Sequence, residues 1–258
     1  MSPGPLKPYK GVYQKDNPAP YMLSRSKIED FVRCPLCFVL DRKFKISRPS
    51  TPSFPLNSAV DALLKKEFDH HRLMQTVHPA LVELGQEFVP LQHPEIDNWR
   101  NNFVGVSHLH PDSNFHLYGA VDDIWTDKQG NLVVVDYKAT AKSEPVTALS
   151  NEEWHMAYRR QLDFYQWLLV QNGYSVSEKG YWLYATARNT AESFKNRLDF
   201  DIRLIEHQGD ISWVGPTALA AKTALDLDQI PDPNPKCEFC EYALKRSEVL
   251  PGNLHKSQ

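Results

Sequence analysis

No stretch of the 258-residue chain approaches the roughly 18 apolar residues that a membrane span needs, and the N-terminus lacks the charged, then apolar, then small-residue order of a secretory signal. The protein is therefore expected to be soluble and intracellular, with a cytoplasmic location. An excess of one charge is lacking too: 29 Lys and Arg face 32 Asp and Glu, a formal net charge of -3. That balance excludes a whole-surface polycation, so any contact with nucleic acid requires a local basic patch. Cysteine is scarce, with four in all, and no internal repeat is visible. What remains, 41% hydrophobic and 24% charged residues, is ordinary globular composition with enough chain to bury a core.

Residues 1–22 are rich in proline and read as an extended arm without a fold of its own, leaving 23–258 as a single domain. LSRSKIEDFVRC carries a capping-box pattern, Ser26 with Glu29, around Ile28, Phe31 and Val32 at helical spacing, and Pro35 ends that helix. NSAVDALLKKEFDHHRLM predicts a helix capped by Asn57, with Val60, Leu63, Leu64 and Phe68 as one apolar stripe. FHLYGAVDDIW and NLVVVDYKAT then read as antiparallel strands joined by the turn TDKQG. A long helix is expected over 151–172, with Ser150 and Glu153 as a second capping box and Gly173 as its C-terminal cap. Strands at GYWLYATA and RLDFDIRLIEHQ and a helix near TALAAKTALDLD follow. The fold class is α/β or α+β, a mixed central sheet flanked by helices.

The period of two places Leu132, Val134, Asp136 and Lys138 on one face of their strand, so a carboxylate and an ammonium are neighbours by construction. The preceding strand carries Asp122 and Asp123 on opposite faces. If Asp122 is directed inward, it joins Asp136 and Lys138 in a small pocket. Two carboxylates that close repel unless a cation lies between them, and hard oxygen donors suit Mg²⁺ or Mn²⁺. Such a site serves metal-assisted attack of water on a phosphodiester, with the lysine holding the water or neutralising a phosphate. The competing reading is a solvated Asp–Lys pair at a strand edge, contributing at most about 1 kcal/mol.

Gly119-Ala120-Val121-Asp122, then Asp136-Tyr137-Lys138 with its aspartate 14 positions after Asp122, then Gln161 and Tyr165 in QLDFY form an ordered series. It resembles the Gly-x-Ile-Asp, Asp-x-Lys and Gln-x-x-x-Tyr motifs of the PD-(D/E)XK nucleases. The likeness is greatest to their RecB-like branch, which includes CRISPR-associated adaptation nucleases and AddB-type nuclease domains, and it runs from about Leu23 to Arg246. It implies a restriction-endonuclease-like core in which Asp122, Asp136 and the Tyr137 carbonyl ligate the metal. Lys138, Gln161 and Tyr165 would complete the catalytic set. Gln161 and Tyr165 share a helix face at i and i+4, although Tyr165 beside Phe164, Trp167 and Leu168 also fits a core position. Where the branch often carries a histidine metal ligand on an early helix, this chain has Asp61. That residue is either a further Mg²⁺ or Mn²⁺ ligand or the i+4 partner of Lys65.

The cysteines form two knuckles, Cys34 and Cys37 in CPLC and Cys237 and Cys240 in CEFC. Two Cys-x-x-Cys pairs at the chain's two ends present four thiolates to one centre, and both tetrahedral Zn²⁺ and a [4Fe–4S] cluster accept that set. Either would join the N- and C-terminal regions and close a loop of about 200 residues. The resemblance implies [4Fe–4S], with one N-terminal and three C-terminal cysteines, the last lying six positions after its neighbour; here that position is Arg246. Cys37 would then supply the fourth ligand, and zinc is the alternative.

Between Ser24 and Arg48, basic residues including Arg33, Arg42 and Lys43 outnumber the acids, and Arg159 and Arg160 precede Gln161. These are the candidate DNA-binding residues. The resemblance implies a metal-dependent nuclease, an exonuclease on single-stranded DNA in repair, recombination or CRISPR adaptation, working beside other proteins of those processes. The alternative is a catalytically silent nucleic-acid-binding or scaffold module that keeps the fold.

Overall fold

Leu132–Lys142 is an 11-residue strand at the centre of a five-stranded sheet. The structure, a computed structural model, describes residues 6–50, 52 and 54–250. In chain order its elements are β1 (Tyr21–Ser24), α1 (Arg25–Arg33), α2 (Pro35–Phe44), α3 (Pro55–Met74), α4 (Pro79–Glu83), β2 (Val89–Pro90), α5 (Ile96–Trp99), β3 (Val106–His110), β4 (Phe115–Gly119), β5 (Asp123–Thr126), β6 (Leu132–Lys142), α6 (Glu153–Gln171), β7 (Lys179–Arg188), β8 (Phe200–Gln208), α7 (Val214–Asp226) and α8 (Glu238–Val249). They fall into two units. One comprises Pro52–His108 and Leu117–Val214; the other comprises Met1–Thr51, Leu109–His116 and Gly215–Gln258.

In the first unit the sheet order is β2-β5-β6-β7-β8, with β6 and β7 parallel and the other pairs antiparallel. A parallel pair needs a long crossover, and α6 supplies it. Val133, Val135 and Tyr137 of β6 pack with Trp125, Tyr181 and Leu183 against Leu64 and Phe68 of α3. Each large side chain buried there contributes about 1.5–3 kcal/mol, so β6 is anchored along its length. On the opposite face α6 approaches closely: a methyl group added to Gly180 would lie 3.4 Å from Leu162 Cδ1. This is the mixed sheet flanked by helices that the hydrophobic pattern implies.

Several local expectations are corrected. The α3 helix starts at Pro55 behind Phe54, so Asn57 is an internal residue whose amide donates to the Ala139 carbonyl at 3.0 Å. Leu63 is 59% exposed, leaving Leu64 and Phe68 as the buried stripe. FHLYGAVDDIW is not one strand but β4 and β5, interrupted at 120–122. Gly105, at φ +66, passes so near the Gly119 carbonyl oxygen, where β4 ends, that a Cβ would fall 2.5 Å from it. Glu152, not Ser150, caps α6; Ser150 Oγ accepts the Glu152 N–H at 3.3 Å and meets His155 Nδ1 at 2.7 Å. Gly173 terminates α6 at φ +85 as expected, with Gly173 N–H bonded to the Val170 carbonyl and Tyr174 N–H to that of Leu169.

In the second unit β1 runs directly into α1, whose N-cap is Ser24, so Ser26 lies inside the helix and no capping box forms. An extended Cys34 separates α1 from α2, and Pro35 both ends the first helix and opens the second, where its missing N–H costs nothing. Residues 6–20 form no helix or strand beyond a bridge between Tyr9 and Tyr21. That arm is nevertheless held: Tyr13 is buried, and its hydroxyl donates to Asp226 at 2.6 Å. Residues 1–5 of the expected arm lie outside the described residues.

Candidate active site

The antiparallel register pairs Asp123 with Val135, so one step further Asp122 faces Asp136 at the open end of the β5–β6 pair. Asp122 leaves the strand there, and its Oδ2 accepts the Tyr137 N–H at 3.1 Å. Asp136 is fully buried and ion-paired with Lys138, and among the described residues neither of its oxygens has a hydrogen-bond partner. A fully buried carboxylate whose one partner is an ammonium is still poorly solvated, and a further cation would complete it. Beside Asp122 this donor set of hard oxygens fits a divalent ion such as Mg²⁺ or Mn²⁺.

Lys65 closes the site from α3. Its Nζ lies 2.9 Å from Asp61 Oδ2 and 3.1 Å from Asp122 Oδ1, so Asp61 stands across an ammonium from Asp122. The α6 helix reaches Lys138 through Tyr158, whose ring centroid is 4.5 Å from Nζ. Asn57, Asp61, Asp122, Lys138 and Tyr158 line a cleft of about 520 Å³. Lys65 as a partner of Asp122, and Tyr158 as a partner of Lys138, escape the sequence reading; the i+4 spacing of Asp61 and Lys65 signals only half of that contact.

Charge coupling sets the protonation states. Burial lifts the Asp136 carboxyl to about 7, a rise that Lys138 opposes and Asp122 reinforces. Burial acts on Asp122 as well, but Lys65, Lys138 and the Tyr137 N–H outweigh it and hold that carboxyl below its ordinary value. Asp61 is raised by burial and by Asp122 against the pull of Lys65. Both lysines are raised: burial disfavours each ammonium, yet the flanking aspartates more than compensate.

Asp123 turns to the opposite side and is wholly buried. It accepts from Arg72 at 2.5 Å, from the Tyr137 hydroxyl at 2.6 Å and from Trp125 Nε1 at 3.2 Å. Gln161 and Tyr165 engage each other, Nε2 donating to the hydroxyl at 3.2 Å, with Tyr165 buried. Of the basic residues singled out, Arg42 binds Asp41, Lys43 donates to the Leu227 carbonyl at 2.8 Å and Arg160 pairs with Glu153 at 2.6 Å. Arg159 donates to the Leu149 and Ser150 carbonyls, while Arg33 is exposed in the last turn of α1. Asp41 also takes Lys27, so the local basic excess is partly neutralised from within.

The four cysteines converge. Cys34 and Cys237 are the N-caps of α2 and α8, and Cys37 and Cys240 follow three residues later, so each knuckle sits on the electropositive end of a helix. The four Sγ atoms lie within 4.8 Å of one another, with no disulfide. The backbone N–H of Asn234 donates to Cys34 Sγ at 3.4 Å.

The family model for the PD-(D/E)XK nuclease superfamily matches residues 53–244. None of the curated proteins matches the sequence. A solved structure, "Crystal structure of SSO0001", is similar over 90% of this chain and 87% of its own length, at 16% identity and a TM-score of 0.44.

Proposed function

Because the chain belongs to the PD-(D/E)XK nuclease superfamily, which uses divalent metals to cut phosphodiester bonds, we propose that it is a Mg²⁺- or Mn²⁺-dependent deoxyribonuclease acting on single-stranded DNA as an exonuclease. The observation that supports this most is Asp136, fully buried with the Lys138 ammonium as its ion-pair partner and with Asp122 opposite it. Asp122, Asp136 and the Tyr137 carbonyl would hold the ion, with Asp61 available once Lys65 moves aside. A divalent ion bound there lowers the pKa of a water and offsets charge on the phosphate. Lys138, with its ammonium 4.5 Å from the Tyr158 ring, would hold that water and offset the negative charge developing on a phosphate oxygen. Gln161 and Tyr165 would support Lys138 from α6, and Arg33, Arg42, Lys43, Arg159 and Arg160 would track the DNA backbone. Roles in repair or CRISPR adaptation, with partner proteins of those systems, rest on the resemblance of the motif series.

The test is incubation of the purified chain with end-labelled single- and double-stranded DNA and Mn²⁺, beside Asp136→Ala and Lys138→Ala. Wild-type shortening of the single strand from an end, lost in both variants, is the expected result. Equal degradation by all three proteins, or none by any, removes the assignment.

A further inference from the structure

We propose that the four thiolates hold one tetrahedral Zn²⁺ ion and not the [4Fe–4S] cluster that the resemblance implies. The sulfur atoms are 3.7 Å apart for Cys34 and Cys240, 3.6 Å for Cys37 and Cys237 and 3.4 Å for Cys37 and Cys240, and no pair exceeds 4.8 Å. Four thiolates bound to zinc at ~2.3 Å stand about 3.8 Å from each other, the edge of the tetrahedron they form. A cubane cluster puts each cysteine sulfur outside its own iron, which spreads the four to roughly 6 Å or more. The observed spacing is that of a single ion, and the four sulfurs stand too close together to ligate the four irons of a cubane.

Packing holds three of the cysteines, while a cavity of about 620 Å³ lined in part by Cys37, Cys237 and Cys240 lies beside them. Cys34, Cys37 and Cys237 are buried, with Leu36 and Phe239 packed against them. The two knuckles are fastened to each other by Asn234, whose N–H donates to Cys34 Sγ at 3.4 Å while its amide donates to the Arg33 carbonyl at 2.9 Å. Arg48, paired with Asp30 at 3.2 Å, lies 5.2 Å from the centre of the Phe239 ring, so a guanidinium stands near the negative charge that four thiolates leave on a divalent ion. Arg246 occupies the place at which a third C-terminal cysteine would extend the ligand set. All four coordination positions are filled by protein, the closed pattern of a structural site, and thiolates bind Zn²⁺ more tightly than Fe²⁺ in the same geometry.

The 258-residue chain, expressed with iron supplementation and purified under argon, is analysed for metals and acid-labile sulfide. The expected result is a colourless protein with about one zinc per chain and no sulfide. Iron with matching sulfide overturns the proposal, as does a single iron without sulfide or a folded chain with no metal. Cys240→Ser should lower the zinc content roughly tenfold or more. As a cysteine variant that fails to fold reports nothing on the metal, the wild-type chain is also exchanged with Co²⁺. Intense d–d bands in the red with thiolate-to-cobalt charge transfer support four-thiolate tetrahedral ligation, and weak octahedral bands overturn it.

Discussion

Asp122 and Asp123 are adjacent in the chain and face opposite ways: Asp122 toward the Tyr137 N–H at 3.1 Å, Asp123 into the core against Arg72 at 2.5 Å. The strand break at 120–122 produces this division, because Asp122 sits just outside β5 where its carboxylate meets the end of β6. Adjacent carboxylates thus acquire separate tasks, one in the cleft and one in the fold.

Their substitutions should separate accordingly. Asp122→Asn is expected to abolish Mn²⁺-dependent DNA cleavage while costing about 1–3 kcal/mol, because the amide oxygen still accepts the Tyr137 N–H but Lys65 loses a counter-charge. Asp123→Asn leaves Arg72 buried with a neutral partner and should destabilise the fold by about 3–5 kcal/mol. Chemical denaturation and cleavage assays on the two variants check this; a severe folding defect in Asp122→Asn would reverse the roles.

Metal affinity should depend on pH through Asp136. Its carboxyl, raised by burial from 3.8 to about 7, carries a proton in the folded chain at pH 6 that a cation must displace. Mn²⁺ affinity measured by calorimetry should therefore climb close to tenfold per pH unit below neutrality and level off above it. Stability without metal runs the other way. A folded-state pKa above the unfolded one contributes stability that is complete below pH 3.8 and is lost as pH rises through about 7. Melting temperatures in chelator should fall over that window, and Asp136→Asn should flatten the slope.

Tyr158 holds the Lys138 ammonium over its ring at 4.5 Å. A cation–π contact of this kind contributes about 0.5–2 kcal/mol, which corresponds to a rate loss of roughly 2- to 30-fold if it only positions the lysine. Tyr158→Leu should lower kcat by that amount with little change in KM, and Tyr158→Phe should retain most activity. Loss of DNA affinity without loss of kcat would instead make Tyr158 a base-stacking residue.

Much of the sheet is legible from LVVVDYKAT alone, because its valines fit buried strand positions on two faces and its alternation places Asp136 with Lys138. Boundaries are less legible where backbone geometry overrides pattern. FHLYGAVDDIW carries no proline or turn signature, yet it breaks at 120–122, where Gly105 passes close to Gly119 and the Val121 N–H bonds the Trp99 carbonyl. Both capping boxes match by spacing yet fail, as β1 feeds α1 two residues early and Ser150 is drawn to His155. The cysteine knuckles are plain in sequence, while their position as N-caps is hidden, since cysteine is not among the usual capping residues. Lys65 is the clearest omission from the site. Helical spacing couples it to Asp61, but its second contact spans 57 residues to Asp122, a separation that no local pattern encodes.

That second contact makes Lys65 a tethered cation that would compete with a metal bound at Asp61 and Asp122. Its ammonium occupies the space between Asp61 and Asp122, and the two carboxylates that would attract a divalent ion are satisfied while it stays there. Removing it, as in Lys65→Met, should have opposite effects in the two states. Without metal, two partly buried carboxylates lose their counter-charge and the protein should be less stable, by about 1–3 kcal/mol on the scale of a half-buried charged hydrogen bond. With metal, no ammonium needs displacing and Mn²⁺ should bind roughly tenfold more tightly, so the stabilisation produced by saturating Mn²⁺ grows. Melts with and without Mn²⁺, read against a direct titration, check both halves. Weaker Mn²⁺ binding by Lys65→Met would show that the lysine organises the carboxylates for the metal instead of competing with it.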